Sequence, residues 1–189
     1  MAAFIVLLLA ALSRFLPHAF HGVGIGFTAV GGGLLFFGSR RSTSLAPAWQ
    51  ATIGVAIMAL SDYILTTKIY AYPFHASAYL ITWVWYAAVI LAGSALLRKV
   101  TVLRVTAGIL ASTTSFFLLS NFAVWAGHQV VYPKSLLGLG MSYVAGLPFY
   151  RNDLISTTIT AGLLFGLPVV AASLVETMRS AQNRNEPLA

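Results

Sequence analysis

Runs of apolar residues broken by polar ones predict six membrane-crossing helices, at about 2–20, 24–38, 46–66, 76–97, 103–126 and 154–176. Roughly 20 apolar residues cross the hydrocarbon core of a bilayer as a helix. Pro17 cuts the first run and glycines thin the second, while the third, fourth and fifth are long and uninterrupted. The one long connection, about 127–152, carries Gly127, Pro133, Gly138, Gly140, Gly146 and Pro148. Connections beyond about 12–15 residues are usually functional or disordered. The apolar residues Val130, Val131, Leu136, Leu137, Leu139 and Val144 argue against disorder. They predict a segment folded over the bundle as a lid or a short interfacial helix. The chain turns polar after Arg179, so residues 179–189 read as an unordered tail behind a single transmembrane domain, 1–178.

Composition agrees with this pattern. Hydrophobic residues make up 59% of the chain and charged residues 8%, against about 25% charged in soluble domains. The expected class is therefore all-α and polytopic. The net charge of +7 reads as topology rather than as a nucleic-acid surface, because Lys and Arg are enriched in cytoplasmic loops. With six helices, the side of the termini holds Arg40, Arg41, Arg98, Lys99, Arg104, Arg179 and Arg184; the other side holds Arg14, Lys68, Lys134 and Arg151. The excess places both termini inside the cell. No basic residue precedes Arg14, so residues 1–16 read as a first helix rather than a cleaved signal peptide. There is no cysteine, which excludes disulfides and thiolate chemistry.

Glycines at 22, 24, 26, 31, 32 and 33 suggest a phosphate loop only superficially. The ribose-binding acid such a loop needs about 20 positions on is missing, with Gln50 and Thr52 in that region. Close approach of helices is the better reading. Gly162 and Gly166, and Ala88 and Ala92, form further small-residue pairs expected to pack within the bundle. Pro168 is expected to kink the last helix.

The same topology puts His18, His21, His75 and His128 at one face, on or near the side of Asp62, Asp153 and Arg151. Asp62 ends the third helix, and a carboxylate at that depth needs a partner or a water-filled cavity. Arg14, Lys68 and Arg151 are its candidate partners, and the residue fits either a structural ion pair or a ligand contact. Asn121 and Trp125 share a face of the fifth helix at four-residue spacing. They offer a polar contact and a stacking surface, although a Trp at that depth also serves as an interfacial anchor. Trp83, Trp85, Tyr79 and Tyr86 add aromatic surface to the fourth helix, and their spacing sends some of it toward lipid. No HExxH and no helical histidine pair at four-residue spacing is present. The histidines are therefore expected to contact ligand or the interface rather than a metal. No catalytic set is assigned, because no nucleophile elbow occurs and spacing alone does not pair an Asp with a His.

Several strings taken in order carry a resemblance: Arg14-Phe-Leu-Pro17-His18, Ser61-Asp62, Ser120-Asn121-Phe122 with Trp125, Gly146-Leu-Pro148-Phe149-Tyr150-Arg151-Asn152, and Phe165-Gly166. Over about 10–175 the chain resembles an uncharacterised bacterial family of putative transport proteins defined by a domain of unknown function. That family is in turn similar to the substrate-binding S components of energy-coupling factor (ECF) vitamin transporters. The resemblance implies a six-helix, S-component-like bundle in a bacterial cytoplasmic (inner) membrane, with a pocket opening outward. It also implies a roof of outer loops, which here hold His18, His21, His75 and the 127–152 segment. Two departures stand out. The chain reads Pro17-His18-Ala19-Phe20-His21 where the family tends to read Pro-His-Pro followed by Asn-Phe. It also lacks the four-spaced alanines in the first helix through which S components dock on their coupling subunit.

The expected function is uptake of a small, vitamin-like organic molecule. His18, His21, Asp62, His75, Trp83, Asn121, Trp125, Phe149, Arg151 and Asn152 are the expected substrate contacts. With no nucleotide-binding signature the chain would draw energy from a coupling membrane subunit and ATPases, or from an ion gradient. No cofactor, metal or nucleic acid is expected, and no enzymatic activity. The alternatives are an accessory or structural subunit of a larger membrane complex and an intramembrane enzyme using His and Asp.

Overall fold

The computed structural model describes residues 1–19, 27–40, 46–127 and 131–185, with side chains through Met178. Among the described residues all regular structure is helical. Helix α1 (Ala2–Ser13) is followed by a single turn, α2 (Leu16–Ala19), and by α3 (Val30–Ser39). Next comes α4 (Pro47–Ile64), prolonged by a π-helical turn at Leu65–Ile69. A 3₁₀ turn at Ala76–Tyr79 leads into α5 (Leu80–Leu96), and α6 (Val102–Ala126) and α7 (Leu136–Asn185) complete the chain.

Among the described residues four stretches are long and apolar enough to cross a membrane: Pro47–Ile69, Ala76–Leu96, Val102–Ala126 and Leu136–Met178. This is compatible with a multi-pass membrane protein. The expected count of six is not confirmed by the described residues, in which α1 has 12 residues and α3 has 10. At 1.5 Å per residue they extend about 18 and 15 Å, short of the ~30 Å hydrocarbon core. The first run stops at Arg14, whose side chain turns to α4. The described part of the second run is helical from Val30, with positions 24–26 of the expected helix outside the described residues. Local signals fit the later starts: Pro47 occupies the first turn of α4, and Thr101 caps α6 by accepting from the Arg104 N–H at 3.3 Å.

Helix α3 is the centre of the bundle, with every residue from Val30 to Gly38 buried. Its glycines permit this. A methyl group on Gly38 would collide with the Ile90 carbonyl of α5, and one on Gly31 would meet Thr157 Oγ1 and Ser112 Oγ. Gly93 of α5 returns the contact, lying against the backbone of Leu35. A buried helix end needs partners for its orphan backbone groups, and neighbouring helices supply them. Ser13 Oγ accepts from the Ala29 N–H at 2.9 Å. At the other end the buried amide of Gln50 donates to the carbonyls of Phe37 and Arg40, the latter at 3.1 Å. Phe37, Leu34, Leu35, Leu7, Met58 and Ile90 form the tightest part of the surrounding core.

Most packed neighbours run in opposite directions, whereas α3 and α7 run the same way, with Gly31 against Thr157 and Phe36 against Phe165. Ser13 meets Ala29 while Ala10 meets Gly33. Asp62 meets Trp83 while Thr66 meets Tyr79. Thr114 meets Tyr150, and Leu118 meets Tyr143. The end of α1, the start of α3, the end of α4, the start of α5, the end of α6 and the first half of α7 therefore gather at one end of the bundle.

Helix α7 departs most from expectation. The segment read as a lid or interfacial connection is helical from Leu136 onward and runs into the expected last helix without a break. The helix also continues to Asn185, through positions read as tail. Fifty residues extend about 75 Å, more than twice the hydrocarbon thickness. Pro148 and Pro168 both lie inside it. Its first half packs along α6; beyond Phe165 its apolar side chains are largely exposed. Gly162 and Gly166 have open space where a methyl would go, so this pair packs against none of the described residues.

Candidate functional site

The gathered end of the bundle contains a cavity of about 590 Å³. Arg14 and Asp62 form one wall, with Tyr79, Thr82, Trp85 and Tyr86 from the start of α5 beside them. Phe116, Phe117, Ser120 and Asn121 of α6 face Ser142, Gly146, Phe149, Tyr150 and Asp153 of α7. Thr28, Val30, Val124, Tyr132 and Ala145 complete the lining. Small-molecule sites are concave and mostly apolar, with a few placed polar groups, and occupy about 300–1,000 Å³.

A charge clamp holds the first wall together. Arg14 Nη2 pairs with Asp62 Oδ1, and Nη1 donates to Ser61 Oγ and to the Met58 carbonyl. Trp83 Nε1 donates to Asp62 Oδ2 at 2.9 Å. Asp62 is 1% exposed, and both of its oxygens are engaged. Of the partners open to it in the sequence, Arg14 is the one it takes. The clamp joins α1, α4 and α5, and the π-helical turn begins three residues further on, where Thr66 Oγ1 donates to the Asp62 carbonyl at 2.7 Å.

The second wall is set by the α6–α7 interface. Asn121 Nδ2 donates to the Phe117 carbonyl at 2.8 Å, which leaves the amide oxygen without a donor among the described residues. Gly146 lies against this amide so closely that a side chain there would collide with it. Ser142 Oγ donates to the Asn121 carbonyl at 2.8 Å, and the Tyr150 hydroxyl bonds Thr114 Oγ1 at 3.0 Å. Asp153 accepts from Thr157 Oγ1 at 3.3 Å. Among the described residues Arg14–Asp62 is the one ion pair, so Asp153 has no basic partner there.

Of the ten expected substrate contacts, Asp62, Asn121 and Phe149 line the cavity. Trp83 is held behind the lining by its bond to Asp62 and by stacking on Phe74 and Tyr79. Trp125 belongs to the α6–α7 turn: its Nε1 donates to the Pro133 carbonyl at 2.9 Å, and Lys134 Nζ lies 5.9 Å from its ring centroid. His18 is exposed and edge-on to Tyr70 at 6.5 Å. His75 is exposed ahead of the 3₁₀ turn, Arg151 is exposed on α7, and Asn152 is partly buried beside it. His21 lies outside the described residues, as does His128. No group of three or more His, Cys, Asp or Glu able to hold a metal occurs among the described residues.

Trp85, Tyr86, Phe116, Phe117, Tyr150 and Asp153 line the cavity without having been expected as contacts. A signal for the last two was present. Ser142, Gly146, Phe149 or Tyr150, Asp153 and Thr157 follow at spacings of three and four, which is one face of a helix.

The family model for a family of unknown function (DUF6580) matches residues 1–179. The chain belongs to that family. No curated protein and no solved structure matches it.

Proposed function

We propose that this protein is the substrate-binding membrane component of an uptake system for a small organic molecule. The observation that carries the reading is the cavity: it is sized for a small molecule and lined from α1, α3, α4, α5, α6 and α7 at one end of the bundle. Its lining combines aromatic walls with a few fixed polar groups, the usual composition of a ligand site. Charge orients the cavity outward. Arg14, Lys68, Lys134 and Arg151 belong to its end, whereas Arg40, Arg98, Lys99 and Arg104 belong to the opposite end or its loops, which by the positive-inside rule faces the cytoplasm. The setting is a bacterial cytoplasmic membrane with both termini inside. An S-component-like role, with a coupling subunit and ATPases supplying energy, accords with the motif resemblance and with the absence of a nucleotide-binding signature.

Thermal unfolding of the purified protein across a panel of vitamins and their precursors tests this reading. A concentration-dependent rise in the midpoint with at least one compound is expected, and a flat response across the panel contradicts it. The orientation is tested by fusing green fluorescent protein or alkaline phosphatase to the C-terminus. Fluorescence without phosphatase activity is expected.

The accessory-subunit reading draws on the second half of α7, where Gly162, Gly166 and the apolar residues beyond Phe165 are unpacked. A stoichiometric large complex copurified from native membranes, without ATPases, would favour it. Among the described residues no His–Asp pairing supports the enzyme reading: Asp62 is held by Arg14 and Trp83, and His18 and His75 are exposed.

A further inference from the structure

We infer that the cavity selects a small organic cation with an aromatic or apolar body, its charge seated between Asp153 and the rings of Tyr150 and Phe117. The inference rests on the binding role proposed above and adds the chemical class of the ligand.

Charge balance is the first argument. Arg14, Asp62 and Asp153 are the charged residues lining the cavity. Arg14 and Asp62 cancel in a closed pair whose oxygens are both used. The remaining charge is the carboxylate of Asp153, held by a single 3.3 Å bond from Thr157, one turn along its own helix. Asp153 is partly buried and has no basic partner among the described residues; a carboxylate so placed is costly, and a ligand ammonium arriving in the cavity supplies a counter-charge. An anionic ligand finds the opposite situation: among the described residues the one cation of the lining, Arg14, is already neutralised, and Asp153 repels the ligand.

Aromatic geometry is the second, independent argument. The rings of Phe117 and Tyr150 lie 4.9 Å apart on opposing helices. Tyr150 is fixed by its hydroxyl bond to Thr114 at 3.0 Å. Asp153 stands three residues from Tyr150 and therefore on the same side of α7. Cations are attracted to ring faces within about 6 Å of the centroid, most strongly where water is excluded. A cation drawn to Asp153 thus lies on the side of α7 that carries Tyr150, and Trp85, Phe116 and Phe149 remain to cover an apolar body.

Three probes of nearly one shape separate the cases: 2-phenylethylamine (cationic at neutral pH), 2-phenylethanol (neutral) and phenylacetate (anionic). Isothermal titration of the full-length protein in detergent is expected to rank the amine roughly tenfold or more tighter than the alcohol, with phenylacetate weakest. Asp153→Asn is expected to remove the advantage of the amine while leaving the alcohol within about twofold. The ranking needs the wild type alone, so a variant that fails to fold leaves the test intact. Phenylacetate or the alcohol binding as tightly as the amine overturns the cation inference while the binding role stands. Failure of all three probes, together with a flat response to the vitamin panel, overturns both.

Discussion

The indole Nε1 of Trp83 donates to the Asp62 oxygen that Arg14 leaves free, at 2.9 Å. One buried carboxylate thereby ties three helices along one wall of the cavity. Removing one member of a buried pair strands a charge, at a cost of about 3–5 kcal/mol, whereas replacing both with apolar residues is often neutral. Arg14→Met is therefore expected to lower the thermal midpoint in detergent sharply. The double variant Arg14→Met with Asp62→Leu is expected to recover much of the loss. Trp83→Phe, which leaves one acceptor unsatisfied, is expected to cost about 1–3 kcal/mol. Equal losses in the single and double variants would show that the pair is not the source of the effect.

The glycines of the bundle divide into two classes with opposite predicted behaviour. At Gly38 an added methyl meets the Ile90 backbone, which cannot swing aside. Gly38→Ala is expected to cost about 1–3 kcal/mol or more. Gly166→Ala adds its methyl into open space and gains up to about 1 kcal/mol of helix propensity. Thermal midpoints of the two variants measure the difference directly.

Gly146 faces the end of a side chain rather than backbone, so its substitution should affect binding more than folding. Gly146→Ala is expected to keep stability within about 1 kcal/mol, since helix propensity offsets the rotation of Asn121. It should weaken 2-phenylethylamine several-fold, because the displaced amide intrudes on the cavity. Calorimetry alongside a melting curve separates the two effects.

Gln50 closes the buried end of α3 through the carbonyls of Phe37 and Arg40. Gln50→Leu keeps the volume and removes the donor, leaving the Phe37 carbonyl with only the Arg40 N–H at 3.3 Å and the Arg40 carbonyl without the Gln50 bond, at about 1–3 kcal/mol. Hydrogen exchange is expected to rise in α3 first, and uniform protection would contradict the capping role.

Much of this architecture is legible in the sequence, and the exceptions have physical reasons. The expected helices at 46–66, 76–97 and 103–126 coincide within a few residues with α4 and its π-helical extension, α5 with its leading 3₁₀ turn, and α6. Each is a long apolar run in which periodicity has no competitor. Within the described residues, α1 and α3 make tertiary contacts that no local pattern displays. Arg14 is drawn to Asp62, and α3 is defined by glycines whose value lies in what approaches them. The start of α7 reads as loop because Gly138, Gly140, Gly146, Pro148 and Asn152 are loop residues by propensity. Packing on α6 overrides that propensity, as tertiary context routinely does. In the site, Asp62, Asn121 and Phe149 were recognisable as polar or aromatic groups near helix ends. Asp153 is placed by the sequence near the same face but just ahead of the helix expected at about 154–176, and its place on the cavity lining follows from a helix that already starts at Leu136.

The central claim is that the cavity holds a small molecule, and native mass spectrometry of the protein released from its own membranes tests it most directly. The account predicts a discrete added mass of a small organic compound. It also predicts that this mass is lost when Ala145, on the cavity lining, is replaced by Trp to fill the space. A bare chain mass for the folded wild type, or an adduct that persists unchanged in Ala145→Trp, would contradict it.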